Sequence, residues 1–192
     1  MQAAGRAPVV AQEKTPSDGW PQPLLRSHPV LGLRHHVWLI GFLVVGYGLD
    51  LLTKQLAVRH LVPGQPFSFL GGWFTVQLLY NPGAAFSMGE GFTVAFAVLA
   101  LVALIVLLVV IVPRAHGRLE NIVAGLLTAG VAGNLTDRIV RPPSPFHGYV
   151  VDFLGIKHFA VFNVADMCIT SAAVIIVIAL LRAQSRMPAE PA

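Results

Sequence analysis

Residues 92–112 read FTVAFAVLALVALIVLLVVIV, an unbroken apolar run without a single charge. At 1.5 Å per residue a helix of that length crosses about 30 Å of hydrocarbon. In lipid the backbone has no water to bind, so such a run must be helical. Three further apolar runs of similar length cover residues 37–58, 121–140 and 159–181. Across its 192 residues the chain is 55% hydrophobic and 11% charged, with a mean hydropathy of +0.70. Soluble domains carry about 25% charged residues. The pattern predicts an all-α membrane protein with four transmembrane helices.

The net charge of +4 does not point to nucleic acid. The basic residues are scattered, with no stripe along one helix and no interleaved aromatic platform. In a membrane protein they set orientation instead. Arg26, Arg34, Arg114, Arg118, Arg182 and Arg186 flank the predicted spans on one side, and Lys54, Arg59, Arg138, Arg141 and Lys157 on the other. With Arg6 and Lys14 added, the first side is the more basic, which predicts cytoplasmic termini. Residues 1–34, rich in Pro, Gly, Ser and charge, read as a disordered cytoplasmic tail rather than a cleavable signal peptide. Residues 35–183 form the four-span domain, and 184–192 a second cytoplasmic tail. Cys168, the single cysteine, lies in an apolar run and reads as a small packing residue.

Two linkers fall on the outer side. Residues 61–91 contain PFSFLGGWFTVQLLYN, in which aromatic and β-branched stretches flank Gly71 and Gly72. This predicts a hairpin resting on the membrane surface. Residues 141–158 hold PPSPF and then GYVVDFLGI, an extended segment. The inner linker, PRAHGR, is short.

The polar residues converge on one depth. Asp50, Asp137, Asp152 and Asp166 all lie near the outer end of a span or in the outer linker, and Asn81, Asn134, Arg138 and Asn163 join them. An ionisable residue inside a span costs at least about 2.5 kcal/mol, so each is a functional candidate. A structural ion-pair network at the helix ends is the alternative. Asp50 and Lys54, spaced i and i+4, share a helical face and suit such a pair. Asn81-Pro82-Gly83 is a turn whose small residues let backbone approach a ligand, and Asn81 suits a peptide amide. Asn134, Asp137 and Arg138 share one face of the third span, where an arginine fork beside an amide suits substrate carbonyls.

Fourteen positions separate Asp152 from Asp166, with Asn163 one turn before the latter. On one continuous helix that is about 21 Å. A turn-back after an extended Asp152 segment brings the two together. Two neighbouring carboxylates in a low-dielectric site share a proton, because one pKa rises. The pair then offers a base to activate water and an acid to polarise a scissile carbonyl, without metal. HExxH and GxSxG are absent from the chain, and Cys168 has no plausible base beside it.

The motifs DLLTK (50–54), NPGAAFS (81–87), AGVAGNLTDR (129–138), VVDF (150–153) and FNVAD (162–166) occur in the order found in bacterial lipoprotein signal peptidases, the type II signal peptidases. The chain resembles that family over residues 37–181. The resemblance implies a four-helix membrane aspartic endopeptidase with a small extracytoplasmic β-structure on the membrane surface. Such an enzyme needs no cofactor and no metal. It implies prolipoprotein substrates already carrying a diacylglyceryl group on the lipobox cysteine, cut just before that cysteine. It places the catalytic pair at Asp152 and Asp166. Asn81, Gly83, Asn134, Arg138 and Asn163 fall at the substrate site, and Asp50, Lys54 and Asp137 in support. It implies a bacterial inner-membrane protein, active as a monomer near the outer leaflet, with membrane lipid as a partner and no nucleic acid. Leu51 departs from the glutamine common after the first aspartate, and PPSPF lengthens the last outer linker. A proton-coupled membrane transporter or channel component also uses intramembrane carboxylates, but it needs polar groups through the whole bilayer. A non-enzymatic scaffold leaves the Asp152 and Asp166 placement without a purpose.

Overall fold

The computed structural model describes residues 36–83, 92–143 and 145–185. The predicted tail over residues 1–34, the AAFS portion of the NPGAAFS motif and nearly all of the C-terminal tail lie outside these.

Four helices carry the fold. They are α1 (Val37–His60), α2 (Thr93–Val106), α3 (Arg118–Val140) and α4 (Val164–Gln184). α2 continues as a π turn over Leu107–Ile111 and a 3-10 turn over Val112–Arg114, so the helical span runs to Arg114. Among the described residues, three helical segments are long and apolar enough to cross a membrane: Val37–His60, Thr93–Arg114 and Val164–Gln184. By length and composition the four-span expectation is therefore met at three. α3 has the length, at 23 residues, but carries Arg118, Glu120, Asp137 and Arg138 and many small residues.

α3 is the centre of the bundle and packs against α1, α2 and α4. Its buried positions include Ala124, Gly125, Ala129, Gly130 and Gly133, which let neighbouring backbones come close. α1 buries Leu39, Gly46, Asp50, Lys54 and Ala57, one face at helical spacing. α4 buries Ala165, Cys168 and Ala172. The remaining faces of α1, α2 and α4 present large apolar side chains outward, such as Val44, Leu99 and Leu180. Cys168 packs as expected: a side chain added at Gly46 would meet its Sγ at 3.1 Å and Ala129 Cβ at 3.0 Å.

The α1–α2 and α3–α4 linkers contribute one antiparallel sheet. Its strands are β1 (Phe67–Phe69), β2 (Phe74–Asn81), β3 (Val150–Ile156) and β4 (Val161–Phe162), in the order β1-β2-β3-β4. The predicted hairpin is present, and Gly71 and Gly72 take positive φ in its turn. The predicted extended segment is β3. It pairs with β2, with Leu79 opposite Asp152 and Asn81 opposite Val150. The helix expected from residue 159 starts at Val164 instead. Val161 and Phe162 pair with β3, and the Asn163 side chain caps the helix by accepting from Asp166 N–H. α3 begins three residues before the expected 121, because Glu120 accepts the N–H groups of His116 and Gly117 at the helix start.

Candidate active site

Asp152 sits on β3 and Asp166 in the first turn of α4. The β3–β4 turn folds the chain back, and a single residue, Asn163, links the two carboxylates. Its Nδ2 donates to Asp152 Oδ1 at 2.7 Å, and its backbone N–H donates to Asp166 Oδ2 at 3.2 Å. Its Oδ1 accepts from Asp166 N–H at 3.0 Å, a reciprocal capping box that leaves its amide nitrogen to face Asp152.

Each remaining carboxylate oxygen has its own amide donor. Asn81 Nδ2 donates to Asp152 Oδ2 at 2.9 Å, and Asn134 Nδ2 donates to Asp166 Oδ1 at 2.8 Å. The orientation of both amides is set by a second partner. Asn81 Oδ1 accepts from Gly83 N–H at 3.0 Å in an Asx turn. Asn134 Oδ1 accepts from Lys54 Nζ at 3.0 Å and Asn163 Nδ2 at 3.2 Å. Asparagines on β2, on α3 and at the cap of α4 thus fix both carboxyls.

The pair lies in a cavity of about 810 Å³, lined by Asn81, Gly83, Asn134, Arg138, Asp152 and Asp166 at its polar end and by an apolar strip of α4 beyond. Asp152 is only 2% exposed. Burial pushes its carboxyl up to about 7, helped by the charge of Asp166 and opposed by the bonds from Asn81 and Asn163. Asp166 occupies the third position of α4, where the positive end of the helix favours negative charge.

Asn163 lies buried behind the cavity, as do Asp50, Lys54 and Asp137. Arg138 borders the cavity, but its guanidinium is turned onto the chain's own carbonyls: Nη2 donates to Gly83 O at 2.5 Å and Nη1 to Pro82 O at 3.4 Å. It also lies over the Phe96 ring, 5.6 Å from the centroid. Its visible work is to hold the Asn81 turn, with Thr93 Oγ1 donating to Pro82 O at 2.8 Å from α2. Two contributors escaped the sequence reading. Arg141 pairs with Asp137 through its Nε, at the same i, i+4 spacing that marked Asp50 and Lys54. Thr93 gave no signal, because a threonine at a helix start is common.

Comparison with known proteins points to one family. The family model described as "Signal peptidase (SPase) II" matches residues 42–182. The chain is 42% identical to the lipoprotein signal peptidase of Streptomyces coelicolor over 155 residues, 79% of this chain and 74% of that protein. It is 39% identical to the lipoprotein signal peptidase of Rhodococcus jostii over 161 residues, 81% of this chain and 79% of that one. A solved structure titled "Bacterial membrane enzyme structure by the in meso method at 2.3 A resolution" superposes with a TM-score of 0.69 at 26% identity, covering 80% of this chain and 93% of that one. A pair of asparagine-bonded carboxyls on a helical bundle and a family match across 42–182 lead to one conclusion: this chain belongs to the signal peptidase II family.

Proposed function

We propose that this chain is a membrane aspartic endopeptidase that removes the signal peptide from diacylglyceryl-modified prolipoproteins, cutting just before the lipidated cysteine. The observation that carries the reading is the pair Asp152 and Asp166, linked through Asn163 at the polar end of a cavity whose other wall is apolar. Asp152, buried and raised, carries the shared proton and donates it to the scissile carbonyl oxygen. Asp166, at the positive end of α4, takes a proton from the attacking water as its oxygen bonds to the carbonyl carbon. When the C–N bond breaks, Asp166 returns its proton to the leaving nitrogen and Asp152 recovers one from the new carboxyl group. Asn81, Asn134 and Asn163 hold the two carboxyls in register, and Arg138 holds the Asn81 turn. The apolar strip with Ile169, Val174 and Ile175 suits a lipidated, apolar substrate.

In this reading α3 is the fourth span. Its 23 residues suffice to cross, and its polar residues Asn121, Asp137 and Arg138 are buried within the bundle rather than facing lipid. Both termini are then cytoplasmic, the dyad lies near the outer leaflet and the enzyme works as a monomer. The test is cleavage of a lipid-modified prolipoprotein by purified Asp152→Asn and Asp166→Asn proteins with retained thermal transitions. Both lose cleavage almost completely. Turnover near the wild-type rate in either one refutes the assignment.

A further inference from the structure

Behind the dyad lies a second, fully buried group of charges. Lys54 Nζ is 2.8 Å from Asp50 Oδ2, 2.9 Å from Asp137 Oδ2 and 3.0 Å from Asn134 Oδ1. Lys54 is thus ion-paired with two carboxylates and hydrogen-bonded to one amide oxygen. Asp137 also pairs with Arg141, so two cations meet two carboxylates and the set is neutral. An i, i+4 helix pair alone needs only Asp50 and Lys54. Here the lysine reaches across to α3 as well.

What the two supporting carboxylates do with their other bonds is the telling feature. Asp50 Oδ1 accepts the N–H of Ala165 at 2.8 Å. Asp137 Oδ2 accepts the N–H of Val151 at 3.2 Å. Ala165 immediately precedes Asp166, and Val151 immediately precedes Asp152. Each supporting aspartate therefore grips the peptide next to one member of the dyad. Lys54 sits between the two grips, and through Asn134 it also orients the amide that donates to Asp166.

We propose that Lys54 is a positioning residue that sets the spacing of the two active-site carboxyls, acting through Asp50 on the α4 side and Asp137 on the β3 side. It touches neither reacting carboxyl. Its charge draws together two carboxylates that otherwise repel, and so draws together the backbones they hold. This inference rests on the dyad reading above.

Lys54→Met alone leaves two carboxylates facing each other in a buried site and is expected to fold poorly. The informative variant is Asp50→Asn with Lys54→Met. It keeps an acceptor for the Ala165 N–H, leaves Asp137 with Arg141 and keeps the site neutral. The assay is kcat and KM for a lipid-modified prolipoprotein, expressed per folded molecule, with a thermal melt in detergent. Displacing a catalytic group by about 1 Å costs roughly 10²-fold. The expected result is a folded double variant with kcat lowered at least about tenfold and KM little changed. Wild-type kcat per folded molecule overturns the proposal. A double variant that no longer folds overturns it too, because Lys54 is then structural. Asp152→Asn and Asp166→Asn in the same assay separate the two readings. If they keep cleaving, the dyad itself is wrong; if they fail while the double variant is unimpaired, only the spacing role falls.

Discussion

Asp152→Asn changes stability in a pH-dependent way whose sign and size follow from where the carboxyl sits. Burial holds the Asp152 carboxyl at about 7 against an ordinary 3.8, and its repulsion by Asp166 adds to this. Between about pH 4 and pH 7 the folded protein keeps a proton that the unfolded chain has released. Unfolding then gives up a proton, so stability falls as pH rises through that window. A rise of about three units at about 1.4 kcal/mol each makes the swing about 4 kcal/mol, fully present below pH 4 and lost once pH passes 7. Asparagine does not titrate, so comparison of wild type with Asp152→Asn at matched pH cancels every other group to first order. The assay is unfolding in detergent at intervals from pH 4 to pH 8. The advantage of wild type over the variant shrinks steadily across the range. Parallel curves for the two proteins refute the buried, protonated Asp152.

The same titration predicts an alkaline limb near pH 7 in kcat/KM, which reports the free enzyme; a flat profile from pH 6 to pH 9 contradicts it. Gly133→Ala places a Cβ against Asp50 Oδ2, 3.1 Å from Asp50 Cγ and Ala165 Cβ, so thermal melts should show a loss of about 1–3 kcal/mol together with reduced turnover. Asn163→Ala removes both the cap of α4 and the link between the carboxyls, with a cap cost of about 1 kcal/mol. Asn163→Ser restores the cap but not the bond to Asp152, so it recovers stability while kcat stays low; recovery of both shows that the link is dispensable.

Much of the site was legible because bilayers make polar groups conspicuous. Asp50, Asp137, Asp152 and Asp166 stand out in a chain with only nine acidic residues, and depth counting placed them together. The Gly71-Gly72 turn and the extended Asp152 segment were readable from local chemistry. The β2–β3 pairing was not. It joins linkers about seventy positions apart, and no local pattern specifies that Leu79 faces Asp152. The start of α4 was misplaced for the same reason, since Val161 and Phe162 are apolar enough for a span and are claimed by the sheet. Lys54 reads as half of a local pair with Asp50, whereas its reach to Asp137 and Asn134 depends on how α1 crosses α3. Arg138 looked suited to substrate carbonyls, and the nearest carbonyls proved to be those of Pro82 and Gly83.

The most direct measurement is an experimental structure with a lipidated peptide in which a secondary hydroxyl replaces the scissile carbonyl. That hydroxyl is expected between the two carboxyls, at about 2.6–3.2 Å from an oxygen of Asp152 and from one of Asp166. A hydroxyl bound by one of them alone, or seated elsewhere in the cavity, contradicts it.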